Sequence, residues 1–429
     1  MNRNKSIALF WFRRDLRLID NKGLNAALEN KANVLPIFIF DSNILDELDA
    51  YDARVSFIHD CLESINEDLK KYGSSIKCFF GNPYDVFKEV INEYSVTDVY
   101  LNKDYEPYAR ARDKSIFQLL TSHAIQLHGF KDQVIFEKLE ITKNDGRPYT
   151  VFTPYKNKWL AQFSPIDAQK SPLINTGNFL ECSFNLIALD EMGFKSSSIQ
   201  IPQYNLSIVD DYADQRDFPS KNGTSHLGTH LRFGTVSIRE IVAKLDYDST
   251  FMSELIWREF FKQILYNFPK VVNSNFKSKY DGVEWRNNPD EFKAWCEGKT
   301  GYPIVDAGMK ELNETGLMHN RVRMITAGFL CKHLLIDWQW GEAYFASKLL
   351  DYDLSANNGN WQWAAGTGCD AAPYFRIFNP TAQQKRFDKD FKYIKRWNRD
   401  WSEDDITIVD HKLARKRALE TYAQGILKS

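Results

Sequence analysis

The sequence predicts a doubly wound α/β domain at 1–130, an interdomain connector at 131–204 and an all-α domain at 205–429. Three features carry that expectation. Up to about residue 130, short apolar runs alternate with helix-length amphipathic stretches; from 131 to 204 the periodicity breaks down; beyond 205, helical spacing dominates. At 429 residues the chain is also too long for a single compact core.

In the first part "IALFWF" (7–12), "VLPIFIF" (34–40), "IKCFF" (76–80), "DVYL" (98–101) and "AIQLH" (124–128) read as strands, separated by helical segments such as "RVSFIHDCLESINEDLKKYG". Repeated strand, helix, strand units imply a parallel sheet covered on both faces. No G-x-G-x-x-G follows the first strand and no G-x-x-x-x-G-K-[ST] occurs, so the usual phosphate-cradling loops are missing. The pieces "KNDGRPYTVFTPY", "SPIDAQKSPLINTGN" and "KSSSIQIPQ" then break the pattern as a surface connector would. Helices follow in "SIREIVAKL", "FMSELIWREFFKQILYNF", "AGMKELNETG", "NRVRMITAGFLCKHLLIDW" and "EAYFASKLL".

Lys plus Arg number 55 against 57 Asp plus Glu, so contact with a polyanion has to come from an uneven distribution of charge. Six scattered cysteines lack both metal-site spacing and disulfide density, which fits a reducing compartment. The opening "MNRNKSIALFWFRRDLRL" is too short in apolar residues for a span and too quickly charged for a signal peptide. A cytoplasmic protein without a membrane segment is expected, working as a monomer.

Nine of the 11 tryptophans fall in the helical part: Trp257, Trp285, Trp295, Trp338, Trp340, Trp361, Trp363, Trp397 and Trp401. Core packing is the ordinary use of such residues. In "NNGNWQW", however, Trp361 and Trp363 sit among Asn and Gly, which give hydrogen bonds and backbone room but little packing volume, as the wall of a pocket for a flat polar ring requires. In "DYDLSANN", Asp353 and Asn357 stand four apart with Asp351 just before; in "HNRVRM", Asn320, Arg323 and Met324 share a helical face. Arg323 with Asp351 or Asp353 would be a charge-assisted pair that can be buried, whereas two capped, solvated helix ends explain the same spacing. Gly223, Thr224, Ser225 and His226 open a helix-like "HLGTHLRFG" and offer an anion site or a plain cap. Glu254 and Arg258 share a helical face beside Trp257, as a surface ion pair also would.

"WFRRDLRLIDN", "PYTVFTPYKNKW" (148–159), "RDFPSKNGTSHL", "ELIWREFF", "GKTGYPIVDAGMKELNETGLMHNRVRMITAGFL" and "DYDLSANNGNWQWAAGTGCDAAPYFRIFNPTAQQKRFD" together resemble the photolyase/cryptochrome family, in order from near the N-terminus to about residue 400. Within it the chain is most similar to class I cyclobutane pyrimidine dimer photolyases. The resemblance implies light-driven repair of ultraviolet-damaged DNA with a reduced FAD folded inside the helical domain. By motif, Tyr212 and the turn Thr224, Ser225, His226 and Leu227 would hold the diphosphate. Phe251 and Arg258 would lie at the cofactor, Phe251 standing where some relatives have Trp. Arg323, Asp351 and Asp353 would flank the isoalloxazine and ribityl parts, and Asn357 would face the flavin N5. Plant cryptochromes resemble this motif with an acid at that place and animal ones with a thiol, so an amide favours the fully reduced, repair-active flavin.

The same resemblance implies a dimer flipped out of the duplex, its rings cradled by Trp257 and Trp363. Glu254 would hydrogen-bond a pyrimidine carbonyl and stabilise charge that develops only during reaction. Asn320 and Met324 would complete the wall; (6-4) photolyases carry histidines at those two places. Trp361, Trp338 and Trp285 match the family's electron relay. Arg216, Arg321, Arg376 and Gln383 fall in motifs that touch DNA, and "AQQKRFDKDFKYIKRWNR" (382–399) sets seven basic residues against two acidic. Methenyltetrahydrofolate as antenna is not supported: Tyr108 and Ala109 replace an Asn-Glu pair before "RARD", and Val272 and Asn273 replace a Cys-Lys pair. A deazaflavin, a second flavin or no antenna stay open. The readings weighed against repair of the cyclobutane dimer are a cryptochrome-like photoreceptor and a (6-4) photolyase.

Overall fold

A computed structural model describes residues 6–402 and 404–428. Packing sorts them into two compact units. Among the described residues, one comprises 6–140, 160–202 and 227–247, the other 141–159, 203–226, 248–402 and 404–428.

The first unit is built on five parallel strands, β1 (Ser6–Phe12), β2 (Val34–Asp41), β3 (Lys77–Gly81), β4 (Ser95–Asn102) and β5 (Gln126–Phe130), in the order β3-β2-β1-β4-β5. Alternation along β1 explains why the run is apolar throughout. Ala8, Phe10 and Phe12 enter one core, while Ile7, Leu9 and Trp11 enter the core on the opposite face. The chain steps from β1 to one edge and returns to build β4 and β5 on the other side, so the sheet is doubly wound, with its switch point between β1 and β4. Asn21, Asp52 and Asn82 accept from backbone N–H groups at the starts of three covering helices.

The segment 227–247 reads as part of the helical domain but packs with the sheet unit. Arg239 ties it there. Its Nε lies 3.0 Å from Asp20 Oδ2 and its Nη2 2.7 Å from Asp132 Oδ1, while Arg17 reaches Asp132 Oδ2 at 2.6 Å. Burial alone would raise the Asp132 pKa, yet Arg17 and Arg239 hold that carboxyl below the ordinary carboxylate range.

The second unit is helical. Its longest described helices are Thr250–Asn267 and His411–Lys428, while Pro303–Thr315, Asn320–Gly328, Trp338–Lys348 and Leu354–Ala365 share a core that includes Trp295, Trp338 and Trp361. The stretch "NRVRMITAGFLCKHLLIDW" is not one α-helix. After Gly328 it widens into a π turn, Phe329–Leu334, and ends where Leu335 turns left-handed at φ 53°. The wide turn carries a buried lysine, Lys332, whose Nζ donates to Ala365 O at 2.6 Å and lies 3.7 Å from the Tyr422 ring centre. Among the described residues no helix is long and apolar enough to cross a membrane.

Candidate functional site

Helices of the second unit, with the turns between them, present most of the side chains singled out above. The helix Thr250–Asn267 starts at Ser249, whose hydroxyl accepts from the Met252 N–H at 3.1 Å. It presents Phe251, Glu254, Trp257 and Arg258 along successive turns, Phe251 buried and the other three half-buried. Trp257 lies flat on Phe152, with ring centres 3.7 Å apart and planes within 8°, and also stacks on Phe261. That packing fixes the indole without burying it.

Glu254 meets Arg216, with Nη1 to Oε1 at 2.5 Å. Arg216 also stands 5.4 Å over the Tyr212 ring, and Tyr212 meets Phe251 edge to face at 5.0 Å. Burial, then the nearby Glu254 charge, pushes the Tyr212 hydroxyl up to about 12. The turn at 223–226 needs a bare backbone: a Cβ on Gly223 would sit 2.8 Å from Gln215 Cβ. His226 takes φ 52°, and Leu227 opens the helix Leu227–Phe233, which packs in the first unit.

The helix Asn320–Gly328 begins behind His319, whose Nδ1 accepts from the Arg321 N–H at 3.2 Å. Burial, aided by the neighbouring Arg323 and Arg321 charges, lowers His319 to about 4, so it is a neutral cap. Asn320 is exposed and Met324 half-buried. Arg321 bonds Asp217 at 2.6 Å and lies 4.5 Å over the Phe387 ring. Arg323 grips Asp351 with both Nη atoms, at 3.2 and 2.9 Å, and donates from Nε to Met318 O at 2.8 Å. Of the two aspartates left open for Arg323, the structure selects Asp351.

Asp353 instead caps the helix Leu354–Ala365, accepting from the Ser355 and Ala356 N–H groups and from the Ser355 hydroxyl. Its Oδ2 lies 2.7 Å from Nζ of Lys262, with both side chains buried. The cap sets the rotation of the helix and so of Asn357 one turn on. Asn357 is buried, and its Nδ2 donates to Glu342 twice, to the backbone O at 3.1 Å and to Oε1 at 2.8 Å. Its Oδ1 has no hydrogen-bond partner among the described residues. Burial raises the Glu342 pKa, against the pull of that Asn357 bond.

Lys262 and Glu342 were missed by the sequence reading. Each had a signal: Lys262 lies eight residues after Glu254 on the same helix, and Glu342 lies four after Trp338.

Trp361 and Trp338 are buried in one core with Trp285 packed against it; Trp338 Nε1 donates to Asn275 Oδ1 at 3.0 Å. Trp295 fills the same core, edge-on to Trp361 at 6.1 Å. Trp363 is half-buried and Arg376 exposed, the latter in a turn closed by its N–H on Pro373 O. Gln383, half-buried, lies on the helix Pro380–Phe387. All seven basic residues of 382–399 are exposed. Of the two acids there, Asp388 is turned inward, accepting from the Tyr393 and Ile394 N–H groups, and only Asp390 faces solvent with the cations. The net charge of the chain therefore understates the positive potential of this face.

Two family models match the chain: DNA photolyase over residues 8–173 and the FAD binding domain of DNA photolyase over 251–403. A deoxyribodipyrimidine photo-lyase of Halobacterium salinarum is 38% identical over 423 residues, covering 90% of this chain and 88% of the relative. A bacterial class III photolyase from Agrobacterium tumefaciens superposes with a TM-score of 0.87 at 32% identity, covering 99% of this chain and 98% of that one. An archaeal photolyase from Sulfolobus tokodaii, described with two FAD molecules, gives 0.83 at 33% identity, covering 97% and 100%. A doubly wound sheet unit paired with a helical, FAD-binding unit defines the class of protein. The chain belongs to the photolyase/cryptochrome family.

Proposed function

We propose that this protein repairs cyclobutane pyrimidine dimers in DNA, using blue light and reduced FAD held in its helical unit. The supporting observation is that relatives named for this activity match along nearly the whole chain, with Glu254, Trp257, Asn320, Met324, Asn357 and Trp363 all standing in the motifs concerned.

The side chains present fit a flavin. With both N–H groups of Asn357 directed at Glu342, the atom left over is an acceptor, suited to the N–H that a reduced flavin carries at N5. When bound, reduced FAD would supply light-driven one-electron chemistry. Arg323 and Asp351 hold each other at the edge of that place, and Lys262, through Asp353, fixes the helix that presents Asn357. Tyr212 and the 224–227 turn meet the diphosphate. Phe251 and Arg258 close the wall.

Trp257 and Trp363 take the dimer between half-buried indole faces, an apolar match for a lesion that has already lost stacking. Glu254 hydrogen-bonds a pyrimidine carbonyl of the dimer. Arg216 beside it sets a cation next to the charge that develops on the pyrimidine. Arg321, Arg376, Gln383 and the exposed 382–399 cations grip the phosphates. Trp361, Trp338 and Trp285 carry electrons inward when oxidised cofactor must be reduced. For the antenna, Tyr108 donates to Asp41 Oδ2 at 2.7 Å and Ala109 is buried, neither offering a folate pair.

The test uses ultraviolet-irradiated oligothymidylate mixed with FAD-loaded protein under blue light. Base-band absorbance is expected to recover, and Glu254→Ala to slow recovery about 100-fold while flavin stays bound. Protein that remains colourless after FAD is offered, or a wild type that restores no absorbance, defeats the reading.

A further inference from the structure

We infer that a cleft in the helical unit, sharing no residue with the flavin and dimer sites proposed above, binds a nucleotide, with its base against Trp401 and its phosphate on Lys385 and Lys389. For the source of that nucleotide, a DNA strand, the inference rests on the proposed function.

The cleft measures about 500 Å³, within the range of small-ligand sites. Its wall includes Phe391 and Trp401, stacked with centres 4.9 Å apart and planes within 17°, so Trp401 is held in a fixed plane. An aromatic face of this kind takes any base, because every base has a π-face. Gln384 also lines the cleft. It is 6% exposed, yet its carboxamide has no partner among the described residues. Its polar atoms are therefore held by no described protein group and stand at the opening, available to whatever fills the cleft. A carboxamide carries a donor and an acceptor side by side, the pattern that a base edge meets.

Lys385 and Lys389 stand at the cleft, exposed and without an ion pair among the described residues, while Asp388 between them is spent on backbone N–H groups. The acid in the wall, Asp405, accepts from the Ser402 N–H at 3.2 Å and confines a phosphate to the lysine side. Both lysines belong to the exposed basic segment 382–399, so a strand lying along that face reaches the cleft with a nucleotide beside the lesion. Free nucleotide offers the same chemistry, and the experiment separates the two.

FAD-loaded full-length protein is titrated with dAMP and, separately, with undamaged single-stranded oligodeoxyadenylate, followed by tryptophan fluorescence and by broadening of the nucleotide NMR lines. Both are expected to bind, the strand more tightly. Gln384→Ala and Lys389→Glu should each weaken both about tenfold, and Trp401→Ala at least as much. Gln384→Ala strands no hydrogen-bond partner, and an unchanged urea midpoint checks that the truncated site still folds. dAMP binding as tightly as the strand would support the cleft with free nucleotide as its source. The inference is overturned if neither ligand binds, or if binding is lost in Trp257→Ala and untouched in Gln384→Ala. Dimer repair scored in the same samples keeps the readings apart: binding without repair defeats only the proposed function, and repair with Gln384-independent affinity defeats only this inference.

Discussion

In the sheet unit, Arg17 and Arg239 close on Asp20 and Asp132 with side chains no more than 9% exposed, whereas the pairs Arg216–Glu254 and Arg323–Asp351 of the helical unit stay between 20% and 33% exposed. The same residue types thus do two different jobs. A network in which every charge is met and no face is open can only hold elements together. A pair that keeps one face open has lone pairs and charge left to give to a ligand. Asp353 with Lys262 lies toward the closed end and acts through the helix it caps.

That contrast breaks if Arg239→Met leaves stability unchanged. Removing one partner strands buried carboxylates, so unfolding in urea should show a loss of about 3–5 kcal/mol, with repair per folded molecule unaffected. The opposite pattern is expected for Glu254→Ala: repair falls about 100-fold, the scale of losing one preorganised group at developing charge, and the urea midpoint barely moves. Trp285→Phe should abolish photoreduction of oxidised cofactor while leaving dimer repair intact in protein reduced chemically beforehand; repair lost in both would place Trp285 in the repair step itself.

Lys332 sharpens the comparison from within the helical unit. Burial draws its ammonium down from the ordinary 10.5 to about 7, so between those values the unfolded chain holds the extra proton. Stability must therefore rise with pH from about 7 toward 10.5. Lys332→Met should flatten that rise, and an unaltered slope would count against burial as the cause. The smallest effect belongs to the open rim. Lys395→Gln is expected to weaken DNA binding equally for all sequences and to reduce the salt slope by about one.

The sheet was legible because each strand is apolar on both faces and flanked by polar, helix-length text, a pattern read from neighbours in sequence. The site was legible in part for a similar reason. The helix over 354–365 and its capping Asp353 follow from local spacing, and Arg323 as a cation seeking an aspartate followed from charge. Choosing Asp351 over Asp353 did not, because Lys262 claims Asp353 from 91 residues away. Nor could spacing reveal that Asn357 spends its N–H groups on Glu342, or that Asp388 turns inward and leaves a basic face.

By itself, then, the sequence determined which runs are strands and which are helical, which faces are apolar and which residue types stand ready for chemistry, since those depend on periods of two and 3.6 residues along one chain. Only the tertiary structure decided which charges cancel, which polar atoms stay unmatched and that 227–247 packs with the sheet unit. Electrostatic partnership depends on distance in space, and a carboxylate has no sequence-local signature of the cation that will meet it.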